Sequence, residues 1–170
     1  MHSYRIDRVA ADLAEVLSTL RVEGPLTLAG HSMGGMTALA YLGRPAADRP
    51  VEPQGPVLVA TAAGRLVERG LGRLIATRAT GALFDLVNHM PRRVTDQAIN
   101  GLVRQVCEGI MKYSGAERSG AAAATASAIH TISLTTAAGF LPSLKEYDQY
   151  HALTSIAANT IVISGGADRT

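Results

Sequence analysis

The sequence predicts an α/β domain with a parallel sheet at its core. Amphipathic and short apolar segments alternate along the chain, and strand–helix–strand units of this kind build parallel sheets. The chain has 170 residues, which is enough for one ordinary domain. Hydrophobic residues make up 47% of it and charged residues 18%. This composition is typical of globular proteins and excludes general disorder.

The first predicted element is a helix over residues 3–20. Its apolar residues recur at helical spacing and so form one stripe. They are Ile6, Val9, Ala10, Leu13, Val16, Leu17 and Leu20. Gly24 and Pro25 then break the chain.

A strand, a turn, a helix and a second strand follow. Residues 26–29 are apolar and long enough for a short buried strand, and residues 30–35 are rich in glycine. Residues 36–42 are good helix formers, and residues 56–60 are again apolar. This order is the signature of a βαβ unit.

A helical segment and a third strand complete the chain. Strand signals are absent from residues 64–155, where helical patterns dominate. Ser143 and Glu146 fit a capping box directly after the helix-breaking Pro142, which predicts that a helix starts there. Residues 160–164 predict the third strand.

These elements divide into two parts, an α/β core of residues 1–63 and 156–170 and an inserted helical cap of residues 64–155. Within the cap, residues 119–144 contain no charged side chain and are long enough to cross a bilayer. They are mainly small and weakly apolar. We therefore predict a buried helix pair and no stable membrane insertion, with a lipid-facing lid as the alternative.

Charge and cysteine content narrow the classes of partner. The net charge is only +2, from 16 basic and 14 acidic residues, and does not suggest nucleic acid as a partner. Cys107 is the single cysteine, so neither an internal disulfide nor a cysteine-based zinc site is predicted. Residues 1–8 are polar and lack the apolar core of a signal peptide, which favours a cytoplasmic location.

One short motif carries chemistry. It matches G-x-S-x-G and consists of Gly30, His31, Ser32, Met33 and Gly34, with Gly35 next. Such a motif places a serine hydroxyl on a sharp strand-to-helix turn, and Gly30 and Gly34 are expected to remove side chains that would clash there. Ser32 is then the predicted nucleophile, and the backbone N–H of Met33 is the predicted oxyanion donor. The alternative is a glycine-rich strand-to-helix turn without a nucleophile, such as one that binds phosphate, although the patterns G-x-x-x-x-G-K-[ST] and G-x-G-x-x-G are absent.

With this motif, the chain resembles the α/β-hydrolase superfamily, in its serine esterase and lipase-like branch with a helical cap. Residues 4–20 resemble the helix before the nucleophile strand, and residues 26–35 that strand and its turn. Residues 161–168 resemble the strand and turn that present the acid of the catalytic triad. The resemblance therefore implies that Asp168 is this acid. The alternative for Asp168 is a carboxylate that caps a turn. The resemblance implies no metal and no organic cofactor.

The family order of serine, acid and histidine places the base after Asp168, where residues 169–170 include no histidine. His31 is expected to pack in the turn, His89 and His130 to be ordinary cap histidines, and His2 to be frayed. His151 precedes the last strand and is the nearest to a substitute base, but we do not predict that role. The second oxyanion donor of the family comes from an earlier loop that has no counterpart here. The sequence therefore predicts an internal fragment of a longer hydrolase.

The predicted function is hydrolysis of a small-molecule carboxylic ester or other acyl substrate through an acyl-enzyme. The fragment alone is expected to show weak or no turnover. Two alternatives stay open. The same nucleophile serves a cofactor-free perhydrolase or an acyltransferase, and an incomplete triad is compatible with a non-catalytic binding module or remnant. The sequence does not specify an oligomeric state.

Overall fold

A computed structural model describes residues 4–66 and 134–165. The backbone divides into two compact units, Met1–Thr77 with Phe140–Thr170, and Arg78–Gly139. Apart from residues 134–139, the described residues belong to the first unit. Cys107, Asp168 and most of the predicted cap lie outside the described residues.

Among the described residues of the first unit, three parallel strands form a sheet, as the sequence predicts. They are β1 (Thr27–His31), β2 (Gly55–Val59) and β3 (Ile161–Ile163), in the spatial order β1-β2-β3. Each lies within two residues of its predicted bounds. His31 is in register with Val59, and Val59 with Ile163. All three strands therefore end in register at one edge of the sheet, here called the carboxyl edge.

Two helices follow the sequence pattern closely. Helix α1 (Ile6–Leu20) buries Ile6, Ala10, Ala14 and Leu17, about one residue per turn, and all of these except Ala14 belong to the predicted stripe. Val16 and Leu20, at the edge of that stripe, are exposed. Helix α2 (Met33–Leu42) contacts α1 and strands β1 and β2. Every residue of α2 from Gly35 to Leu42 is consequently buried. A helix covered on all sides needs no polar face, which explains its nearly uniform apolar sequence.

Two further helices, α3 (Leu134–Glu146) and α4 (Tyr150–Ser155), lie before β3. The predicted capping box is wrong, because Ser143 and Pro142 both lie inside α3. The Ser143 hydroxyl instead accepts a hydrogen bond from the backbone N–H of Ile6, at 3.0 Å. It therefore satisfies one of the free N–H groups that begin α1, whose own N-cap residue Arg5 makes no side-chain capping bond.

Replacing Ser143 by alanine is expected to lower the free energy of unfolding by about 1–2 kcal/mol, because a buried N–H of α1 loses its acceptor. Urea unfolding followed by circular dichroism measures the effect. Thr19→Ala is the matched control, since the Thr19 hydroxyl only bonds to Glu15 O in its own exposed helix turn. We expect that control to stay within about 0.5 kcal/mol of the wild type. Equal losses in both variants would show that Ser143 does not cap α1.

In the described part of the chain, no helix combines the length and apolar composition that a membrane span requires. The uncharged run at residues 119–144 falls largely outside that part, so the predicted helix pair is not described.

Candidate active site at the carboxyl edge of the sheet

Ser32 lies on the sharp turn between β1 and α2 that the sequence predicts. Its backbone has φ 51° and ψ −117°, a conformation that a residue with a side chain rarely adopts. Such a residue is strained by about 1–3 kcal/mol and persists only where its surroundings hold it. Ser32 is also exposed. The turn thus presents a hydroxyl-bearing side chain beyond the end of β1.

Hydrogen bonds hold the Ser32 backbone in this conformation. Its N–H donates to Val59 O at 3.0 Å and so continues the pairing of β1 with β2. Its carbonyl accepts from the N–H groups of Gly35 and Met36, at 3.0 and 3.2 Å. The same carbonyl accepts from the Thr61 hydroxyl at 2.7 Å. Bonds from two elements therefore offset the strain of the turn.

The glycines of the motif have unequal steric roles. A Cβ on Gly30 would lie 2.5 Å from backbone atoms of Gly34 and Gly35, so no side chain fits there. A Cβ on Gly35 would lie 2.7 Å from the side chain of Thr61. A Cβ on Gly34 would meet nothing within 4 Å. The expectation that Gly34 avoids a clash is therefore wrong, because the close approach involves the Cα of Gly30 and only the backbone of Gly34.

The N-terminus of α2 faces the same edge as Ser32. Met33 is the first helical residue, and its N–H makes no backbone hydrogen bond within the described ranges. Free N–H groups and the helix dipole favour negative charge at this position. Tyr147 helps to anchor this end of α2, since its hydroxyl donates to Met36 O at 3.2 Å. Burial raises the pKa of the Tyr147 hydroxyl above that of an ordinary tyrosine, which is itself protonated at neutral pH, so the group is a hydrogen-bond donor here.

Neither histidine of the described residues is hydrogen-bonded to the Ser32 hydroxyl. His31 ends β1 and is exposed, so the expectation of a packed ring is not met. His151 lies in α4, and its Nε2 comes within 3.0 Å of the place where a Cβ of Gly43 would be. Gly43 caps the C-terminus of α2, a helix of 10 residues and therefore about 15 Å long. His151 is thus at the far end of α2 from Ser32, which rules it out as a substitute base in this arrangement.

Other predicted site residues lie outside the described residues. Asp168 is among them, together with His2, His89 and His130. The strand before Asp168 is described, and it ends at the carboxyl edge, where Ile163 O accepts from Ala60 N–H at 2.8 Å. Within residues 4–66 and 134–165, no three potential metal ligands of the His, Cys, Asp or Glu type come together.

Thr61 is a site residue that sequence reasoning missed. Its hydroxyl is the side-chain group that contacts the Ser32 backbone. The available signal was its position directly after the predicted strand at residues 56–60, because residues that follow parallel strands gather at one edge.

Comparison with known proteins agrees with this architecture. A family model described as the alpha/beta hydrolase fold matches residues 1–170. No curated protein shows significant sequence similarity to the chain.

Proposed function

The chain belongs to the alpha/beta hydrolase fold family, which supports a hydrolase function in general, and on this premise we propose that it is a serine hydrolase of carboxylic esters. The observation that carries the proposal is the exposed Ser32 at φ 51°, placed directly before the N-terminus of α2. A strained turn of this kind is typical of a serine nucleophile in this fold. The proposed substrate is a small molecule, and the proposal involves no metal or organic cofactor.

The proposed reaction has two halves. The Ser32 Oγ attacks the ester carbonyl carbon while its proton passes to a general base, and the carbonyl oxygen becomes an oxyanion that accepts from the Met33 N–H. Collapse of this intermediate expels the alcohol, which takes the proton from the base, and leaves an acyl ester on Ser32. Water then attacks the acyl carbon by the same route and releases the carboxylic acid and free Ser32.

Asp168 is the proposed triad acid, which orients the histidine base and stabilises its protonated form. It follows Ile163 by five positions. Strand β3 lies two strands from β1, which corresponds to about 10 Å at the usual spacing. Five residues span up to about 17 Å, so the chain is long enough to bring Asp168 towards the turn at Ser32. The proposal also requires a histidine after Asp168 in the chain order of the family.

Covalent labelling tests the proposal. The protein is expressed from its complete coding region and treated with a fluorophosphonate, which reacts with activated serines. We expect one adduct, on Ser32, and a loss of p-nitrophenyl ester hydrolysis in proportion to labelling. Full esterase activity after stoichiometric labelling of Ser32, or an adduct on another serine that accounts for the loss, would contradict the proposal.

A further inference from the structure

We propose that Thr61 is a positioning residue, whose hydroxyl fixes the peptide between Ser32 and Met33 so that the Met33 N–H faces the oxyanion. The inference rests on the proposed function, because it concerns the donor that this function assigns to Met33. The observation that carries it is the hydrogen bond from Thr61 Oγ1 to Ser32 O, at 2.7 Å.

The Ser32 carbonyl and the Met33 N–H belong to the same peptide unit. That unit is planar and trans, so its C=O and N–H bonds point in opposite directions. A group that fixes the carbonyl oxygen therefore also fixes the direction of the N–H. The proposed donor needs such control, because stabilisation of an oxyanion depends on a donor that is aimed before the charge develops.

The Thr61 bond differs from the other two bonds to the same oxygen. The N–H groups of Gly35 and Met36 both come from the first turn of α2 itself. They move with the helix and do not tie it to the sheet. Thr61 follows β2, so its bond connects the peptide to the neighbouring strand. A donor on the carbonyl also polarises the amide, which strengthens the hydrogen bond that its N–H can donate.

The surroundings of Thr61 hold its hydroxyl in place. Ala60 has φ 43°, in the left-handed region, which turns the chain sharply after β2. The Ala60 N–H is held by Ile163 O at 2.8 Å. The Thr61 side chain packs so closely on Gly35 that a Cβ there would lie 2.7 Å from Thr61 Cβ, Cγ2 and Oγ1. A β-branched side chain in such close contact has little freedom at χ1, so the hydroxyl is aimed before substrate binds.

A pair of substitutions separates the hydroxyl from the shape of the side chain. Thr61→Val replaces the hydroxyl by a methyl group of nearly equal size, and Thr61→Ser keeps the hydroxyl and removes the methyl. Both variants are made in the protein expressed from its complete coding region. We expect Thr61→Val to lower kcat for ester hydrolysis about tenfold and to leave KM within about twofold of the wild type. The expected loss is smaller than the reduction of about 100- to 1,000-fold that follows removal of an entire oxyanion donor, because the Met33 N–H is still present and only its direction changes. Thr61→Ser should stay within about threefold of the wild-type kcat.

A second measurement reports on stabilisation of the oxyanion separately from turnover. The affinity for a trifluoromethyl ketone, which forms a tetrahedral oxyanion adduct, should fall by the same factor as kcat in Thr61→Val. A purely structural role would lower the folded fraction and leave the kcat of the folded protein and its ketone affinity unchanged, which would overturn the inference. If the valine variant does not fold, Thr61→Ala removes the hydroxyl without adding a methyl group, and its kcat and ketone affinity are measured in the same way.

Ser32→Ala distinguishes the two proposals. If that variant keeps its ester turnover, the proposed function is wrong. If it is inactive while Thr61→Val has the wild-type kcat and ketone affinity, only the positioning role of Thr61 is wrong.

Discussion

Ser32→Ala is expected, on the proposed function, to lower kcat for ester hydrolysis by a factor on the order of 10⁴ to 10⁶, as loss of a catalytic serine does in known serine hydrolases. Without the Oγ no acyl-enzyme forms, and only oxyanion stabilisation and substrate binding are left. KM should change little, because the hydroxyl acts in the transition state. Steady-state kinetics on the protein from its complete coding region measures both constants. Ser18→Ala, at the exposed end of α1, is the control and should keep the wild-type kcat.

Stability gives an independent check on the strain at this position. Ser32→Gly and Ser32→Ala both lack the hydroxyl, so both should be inactive, but glycine adopts φ 51° with ψ −117° without strain, whereas alanine is strained there. We expect the glycine variant to be more stable than the alanine variant by about 1–2 kcal/mol. Equal stabilities would show that the turn is not strained in solution.

The activity of Ser32→Ala decides the catalytic role separately. A loss of activity below tenfold in this variant would exclude Ser32 as the nucleophile.

The sequence predicts the elements whose signals are local. The stripe of α1 repeats within one helix, and the strands are short apolar segments bounded by breaks. The turn at Ser32 is equally local, because the close approach of Gly30 to Gly34 and Gly35 involves residues five positions apart or fewer. Hydropathy and motif spacing contain this information, so these features could be predicted without the structure.

Contacts between distant residues escaped prediction for a physical reason. Ser143 caps a helix that begins 137 residues earlier, and its local sequence is equally compatible with a cap on its own helix. Thr61 lies 29 residues from Ser32 and meets it only because β1 and β2 pair in parallel and in register. The partner of a hydroxyl group is thus fixed by packing and not by its neighbours in sequence.

The two outer glycines of the motif show the same limit within a local pattern. The pattern G-x-S-x-G treats Gly30 and Gly34 alike. The structure gives them different surroundings, since Gly30 faces backbone atoms and Gly34 faces open space. Gly34 also lies inside α2, where its φ is negative as in any helix. Conformation and space thus both permit a side chain at residue 34.

Gly30→Ala is therefore expected to destabilise the protein by about 3 kcal/mol or more, because a methyl group 2.5 Å from backbone atoms forces β1 and α2 apart. The clash cannot be relieved by a side-chain rotation, because the added methyl group meets the backbone atoms Gly34 C, Gly34 O and Gly35 N. Gly34→Ala is the matched control and should be neutral or more stable by up to about 1 kcal/mol, since alanine favours helix.

Urea unfolding followed by circular dichroism compares the two variants, which suits a chain without tryptophan. The expected order of stability is Gly34→Ala at or above the wild type, and Gly30→Ala far below it. Because both variants add the same methyl group to the same motif, the difference between them measures the close approach of β1 to α2 together with the helix-propensity gain of up to about 1 kcal/mol at residue 34. If the two variants were equally stable, the turn would be open enough to accept a side chain at residue 30. The steric reason for glycine before the serine would then be wrong.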